Sequence, residues 1–156
     1  MPTPLQSREF FSATWAGEGA WHAPRLLRRL PLPHRLRFQS STTWLTDTTW
    51  LVHDRLEWSD GRIEHRGGLA TLLAPDRIAL SYDGMVGGTE LHLREDGFTF
   101  LPYRLLAAVP WVPVPLLLDC TDHCELLADG SLLDTLDLAL AGVSVGRLVL
   151  RLRAIS

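Results

Sequence analysis

Several stretches of this 156-residue chain hold residue types that could do chemistry. DCTDHCE, Asp119 to Glu125, contains every common ligand type for a transition metal. On a helix, Cys120 and Cys124 would share a face. The stretch alternates like a strand, where positions i and i+4 lie about 13 Å apart, too far for a shared metal or a disulfide. Alternation sets Cys120, Asp122 and Cys124 on one face and Asp119, Thr121 and His123 on the other. Two small buried cysteines account for the first face. One of Asp119 and Asp122 must then point inward, and the pattern leaves open which. Asp119, Thr121 and His123 could be neighbours in a site.

Asp54 stands on one face of WLVHDRLEW with Trp50, Val52, Leu56 and Trp58. A carboxylate among apolar side chains needs a partner or an altered pKa. It could anchor a polar ligand head or act as a base, or it could pair with His65 or an arginine on the next strand. SYDGMVGGTE, Ser81 to Glu90, is rich in glycine but opens no helix that could hold a phosphate, so a wide turn or bulge is expected. Tyr82 and Asp83 could line a barrel mouth there. No serine sits in a nucleophile elbow, and there is no Walker loop, dinucleotide fingerprint or His-Glu-x-x-His.

The elements that must position these groups are strands. WLVHDRLEW, TELHLRE and RLVLRLR all alternate with period two, the mark of strands with one wet face. Asp60–Gly61, Asp96–Gly97 and Asp129–Gly130 fall between alternating runs, and Asp-Gly is a strong hairpin signal. The pattern predicts about ten strands: 12–22, 35–44, 48–58, 62–73, 77–83, 88–95, 98–105, 116–127, 131–140 and 144–153. One short helix or loop is expected near 23–31, where Leu26, Leu27 and Leu30 share a face before Pro31. The fold class is thus all-β. An antiparallel up-and-down barrel of about ten strands is favoured because closure removes exposed edges, with a two-sheet sandwich as the alternative. One domain over 1–156 fits the length.

Two apolar segments would flank such a barrel. Phe98 to Leu118 is interrupted by Pro110, Pro113 and Pro115, which forbid a regular strand and suggest a lid or an interaction surface carrying Trp111. PRLLRRLPLPHRLR concentrates Arg25, Arg28, Arg29, Arg35 and Arg37. Leucines could guard a portal there while arginines meet a carboxylate or phosphate, or the arginines could form a solvated face.

Composition narrows the function classes. The formal net charge is −3, which disfavours general nucleic-acid binding. All fifteen basic residues are arginine, so lysine chemistry is excluded. No run approaches a membrane span, and the N-terminus lacks the basic-then-apolar order of a signal peptide; a cytoplasmic protein is expected.

ATWAGEGAW, Ala13 to Trp21, resembles the Gly-x-Trp-x-Gly opening strand of the calycin superfamily. The nitrobindin-like form is the most similar, through Trp15–Ala16–Gly17–Glu18–Gly19. The tail DGSLLDTLDLALAGVSVGRLVLRLR, with Gly142 and Gly146, is similar to the last hairpin of an uncharacterised calycin-like family. The resemblance implies a lipocalin-like or fatty-acid-binding-like barrel with an apolar cavity, with Trp15 plugging one end and Glu18 facing out. Nitrobindin-like proteins bind haem through a late histidine. The last histidine here is His123, so no cofactor and no metal are expected.

The leading expectation is a barrel binding a small hydrophobic molecule, fatty-acid-like, isoprenoid or polyketide-like, with an acidic head group as one option. Its candidate ligand-binding residues are Trp15, Trp50, Asp54, Trp58, Tyr82, Phe100, Tyr103, Trp111 and Asp119. No catalytic residue is assigned. The rival is an enzyme on the same barrel, an isomerase, cyclase or hydratase using Asp54, Asp119 or Asp122 with Tyr82 or Tyr103. It requires two such groups to meet inside one pocket. A partner-binding module built around Trp111 is a third reading.

Overall fold

Almost every alternating run in the sequence becomes a strand. The computed structural model describes residues 8–110 and 112–155. Its strands are β1 (Trp15–His22), β2 (Arg35–Trp44), β3 (Thr49–Trp58), β4 (Ile63–Ala74), β5 (Arg77–Tyr82), β6 (Met85–Val86), β7 (Thr89–Arg94), β8 (Gly97–Phe100), β9 (Tyr103–Ala107), β10 (Leu116–Leu126), β11 (Leu132–Leu140) and β12 (Val143–Ala154). Each of β1 to β4 pairs antiparallel with the next, β5 pairs with β7, β7 with β8 and β8 with β10. β10 pairs with β11, β11 with β12, and β12 returns to β1. Ten strands thus close a barrel, and the sandwich alternative falls. The expected strand 98–105 is split into β8 and β9, because Pro102 has no N–H to give a ladder. Both pieces still pair with β10, and the two-residue β6 joins the edge of β9.

The closing ladder is tight. Trp15 to His22 of β1 pairs with Arg147 to Ala154 of β12. A Cβ on Gly17 would lie 1.8 Å from the Arg151 carbonyl oxygen, so only glycine permits the approach. Glu18, next along, points outward as expected and faces Arg37 at 3.6 Å.

The short helix or loop expected over 23–31 is present, and one further short helix was not foreseen. Over 23–31 there is only a single 3-10 turn, Leu27–Arg29, with no side-chain cap, between Pro24 and Pro31. A helix of five residues, α1 (Arg8–Ser12), lies just before β1, partly where the alternation was read as strand from residue 12. It is held from outside itself. Thr42 donates to the Phe11 carbonyl at 2.7 Å, Trp44 Nε1 donates to Ser12 Oγ at 2.8 Å, and Trp15 Nε1 donates to the Phe10 carbonyl at 3.2 Å. So short a helix is marginal alone, and these tertiary bonds are what fix it.

The β11–β12 hairpin turns through Ala141 and Gly142, at φ of 49° and 80°. Two positive φ values in a two-residue loop suit Asn-Gly, whereas alanine in this region costs about 1–2 kcal/mol. Ala141→Asn is therefore expected to stabilise the protein by about 1 kcal/mol, raising Tm by roughly 2–4 °C in a thermal melt. An unchanged or lower Tm would show that the turn is not strained.

Candidate functional site

The inward faces of the strands enclose a cavity of about 600 Å³, within the usual range for a small-molecule site. Its lining is mostly apolar. One end is stoppered by α1: Phe10 packs on Trp15 with ring centres 5.0 Å apart, and Phe11 on Trp50 at 5.4 Å. Beyond them Trp50, Ala70, Ile78, Leu91, Leu93, Phe98 and Cys124 form a buried cluster. The other end is bordered by two loops. Leu27, Leu30, Leu32 and Pro33 come from one, and Ala108 to Pro110 with Val112 from the other. The proline-broken segment thus borders the barrel end.

Seven of the nine candidate ligand-binding residues line this cavity: Trp15, Trp50, Asp54, Trp58, Tyr82, Phe100 and Tyr103. Trp111 lies outside the described residues. Asp119 is corrected. It is exposed on the outer wall, and so are Thr121 and His123. The register of β10 turns Leu118, Cys120, Asp122 and Cys124 inward instead. Cys120 and Cys124 are free and buried, as their spacing required. Asp83 is also on the outside, where it accepts the Gly67 N–H at 2.7 Å.

At mid-height the apolar lining is interrupted by a belt of polar groups. On one side Asp54 of β3 accepts a hydrogen bond from the Tyr82 hydroxyl of β5. Ser40 sits across on β2 and Arg66 across on β4. Neither arginine nor histidine bridges Asp54, contrary to the pairing weighed from the sequence. Its Oδ1 is buried and accepts no bond of good geometry, although Ser40 lies beside it. On the other side Tyr103 of β9 donates to Asp122 of β10 at 3.0 Å. Asp134 of β11 is the diagonal neighbour of Asp122 on the same face, since Asp122 stands opposite Leu136 and Asp134 opposite Cys124. The Oδ1 atoms of both aspartates are buried and neither has a donor. A proton held between the two carboxyls satisfies both atoms at once.

Burial is the largest influence on each acid of the belt, and it raises all three above the ordinary carboxylate range. Asp134 raises Asp122 further and also acts on Asp54, so the two sides of the belt feel each other across the lumen. Ser40, Tyr82 and Arg66 pull Asp54 the other way. Burial and the adjacent aspartates push both tyrosine hydroxyls up, which keeps Tyr82 and Tyr103 as hydrogen-bond donors. The Cys120 thiol is pushed up to about 12 by burial and by Asp122, so it is not a nucleophile near neutrality.

Sequence reasoning missed Asp134, Ser40, Glu64 and Arg66. The signal for Asp134 was available, because in SLLDTLDLAL it alternates in phase with Leu132, Leu136 and Leu138. The grouped arginines, by contrast, do not line the cavity. Arg25, Arg28, Arg29, Arg35 and Arg37 are all exposed. The acidic head group they were expected to meet would instead face carboxyls in the lumen.

No protein-family model matches the sequence, and no curated protein matches it. The barrel is similar to the crystal structure of Rv2717c from M. tuberculosis, with a TM-score of 0.59 and 15% identity over 94% of this chain and 93% of that one. That likeness is one of fold. A putative thioesterase II from Thermobifida fusca YX aligns over 99% of this chain and 82% of that one at 13% identity, but its TM-score of 0.27 carries no argument. No described helix is long and apolar enough to cross a membrane.

The carboxyl pair makes a pH prediction. An acid whose value is raised by folding binds its proton more tightly in the folded state. The stability it contributes is complete below the ordinary value of 3.8 and is lost as pH rises through the raised one. As pH rises above 3.8, this contribution to the Tm of the wild type should therefore fall. Asp122→Asn supplies a permanent donor to Asp134 and should make that slope shallower. Equal slopes in the two proteins would show that no proton is shared.

Proposed function

We propose that this barrel, calycin-like in layout, binds a small hydrophobic molecule with a polar group. The observation that carries the reading is the cavity of about 600 Å³, apolar at both ends and polar at mid-height. A lining of this kind favours an apolar body by desolvation, and a few fixed polar groups orient it. The stopper of α1 restricts access to the opposite end, bordered by Leu27, Leu30 and Leu32 on one side and by Ala107 to Pro110 and Val112 on the other.

Titration with the fluorescent probe N-phenyl-1-naphthylamine tests this. The expected result is an emission increase that saturates at one site. Leu136 lines the cavity and is half-buried, so Leu136→Trp should fill part of it and weaken the probe on the order of tenfold. A circular dichroism spectrum like that of the wild type would show that the variant folds. Failure of the probe to bind would overturn the binding reading, and binding indifferent to Leu136→Trp would place the probe outside this cavity.

A second reading is favoured by one observation. Two acid–tyrosine pairs, Asp54 with Tyr82 and Asp122 with Tyr103, face one lumen. A carboxyl holding a proton can act as an acid and an ionised one as a base, so the belt suits acid–base catalysis on an apolar substrate. An isomerase, cyclase or hydratase fits. Mass spectrometry of the small molecules that copurify with wild type and with Asp122→Asn separates the two readings. An enzyme leaves substrate on the variant and product on the wild type, isomeric or differing by one water. A binding protein carries the same molecule in both.

A further inference from the structure

The charge balance of the lumen points to one chemical class of ligand. Among the described residues four carboxyls line it, Asp54, Glu64, Asp122 and Asp134, against two guanidiniums, Arg62 and Arg66, and no histidine. Arg62 and Arg66 both lie against Glu64, at 3.5 Å and 3.4 Å, and Arg62 Nε is buried without a hydrogen-bond partner. No salt bridge among the described residues reaches the three aspartates. Asp122 is only 6% exposed and Asp54 only 9%, and each has a buried Oδ1 with no hydrogen-bond partner. A buried carboxyl must hold a proton or meet a cation, because leaving it ionised and alone costs several kcal/mol. In the empty barrel the proton serves.

We propose that the aspartate belt receives a protonated amine, so that the ligand of this cavity is an apolar amine and not a fatty acid. An ammonium group has three donors and no acceptor. That matches a site with spare carboxyl oxygens on two sides, Asp54 on one and Asp122 with Asp134 on the other. A carboxylate head at the belt would meet three aspartate carboxyls, with Arg66, already bonded to Glu64, and Arg62 as the guanidiniums of the lining to offset them. The aromatic faces of Tyr82 and Tyr103 on the same belt suit a cation as well. An alkyl tail is then received by the leucines toward the loop end, Leu105, Leu116, Leu118 and Leu138 among them. The inference rests on the proposed binding reading and adds the head-group class to it.

Protons move in a definite direction. A cation taken up from neutral solution displaces the proton held between Asp122 and Asp134 to the buffer, leaving two carboxylates and one ammonium. The groups facing that pair are Tyr103 of β9, Cys120 and Cys124 of β10, and Asp54, Arg66 and Tyr82 from across the lumen; His123 acts on Asp134 from outside. Both thiols and both hydroxyls are raised and stay neutral, so the exchanged proton belongs to the aspartates.

Three ligands of one chain length test it: dodecylamine, dodecan-1-ol and dodecanoate, each below its micellar concentration. Each competes with N-phenyl-1-naphthylamine for the full-length protein near neutral pH. Dodecylamine should displace the probe at a concentration lower than dodecanoate by on the order of tenfold or more, with the alcohol between them. Calorimetry in two buffers of different ionisation enthalpy should show about one proton released per amine bound and none for the alcohol. Asp122→Asn with Asp134→Asn should bring the three ligands to within about threefold of one another, each measured against the probe affinity of that variant. Dodecanoate competing as well as the amine would overturn the amine assignment and leave the binding reading standing. If the probe itself does not bind, the binding reading fails and takes the inference with it.

Discussion

The ladder between β1 and β12 is the constraint on which the rest of the structure depends. Without it the sheet would be open, and the inward face of each strand would be a wet surface. With it those faces enclose a volume, and the residues on them exchange water for one another. The ladder exists because Gly17 lets the Arg151 carbonyl approach where a side chain would collide. It also seats Trp15, and Trp15 and Phe10 between them bring α1 into the end of the barrel. Closure, stopper and cavity are therefore one arrangement.

Within that arrangement the apolar ends and the polar belt are not in conflict. The buried cluster around Trp50, Ile78 and Leu91 and a second around Leu36, Leu132, Leu150 and Leu152 supply burial enough to hold the walls. The belt then sits in low dielectric, where every charge is magnified. Tyr82 and Tyr103 answer part of the hydrogen-bonding demand of Asp54 and Asp122, and a proton answers the rest. Surface acids behave in the opposite way. Arg147 holds the Asp137 carboxyl below its ordinary range by bonding it at 2.7 Å, with both groups largely exposed. The same residue type is thus driven in opposite directions on the two faces of one strand, β11, by burial on one and a guanidinium on the other.

The two ends of the cavity differ for physical reasons as well. α1 is tied to β1 and β2 by hydrogen bonds from Trp15, Thr42 and Trp44, and it inserts two aromatic rings. At the far end the segments rich in proline and leucine cannot form ladder bonds, so they lie as loops at the rim. A stopper at one end and loops at the other give the cavity a direction, with the belt between.

The sequence by itself determined the strands and their antiparallel order and favoured a barrel, while the pairing of β12 with β1 decided it against a sandwich. Period two is a local property, and Asp-Gly turns announce where it reverses. It also placed Trp15, Trp50, Asp54, Trp58, Tyr82, Phe100 and Tyr103 in one group, because alternation sorts residues between faces without any long-range information. It could not choose between Asp119 and Asp122. A shift of one residue exchanges the two faces, and only pairing β10 with β9 and β11 decided which aspartate went in. Nor could it foresee α1, which is too short to carry its own periodicity and is made by contacts with β1 and β2. The meeting of Asp54, Asp122 and Asp134 was the least legible feature. Those residues are separated by long stretches of chain, and only closure of the ring puts β3 across the lumen from β10 and β11. The charge inside the barrel was decided by tertiary structure alone.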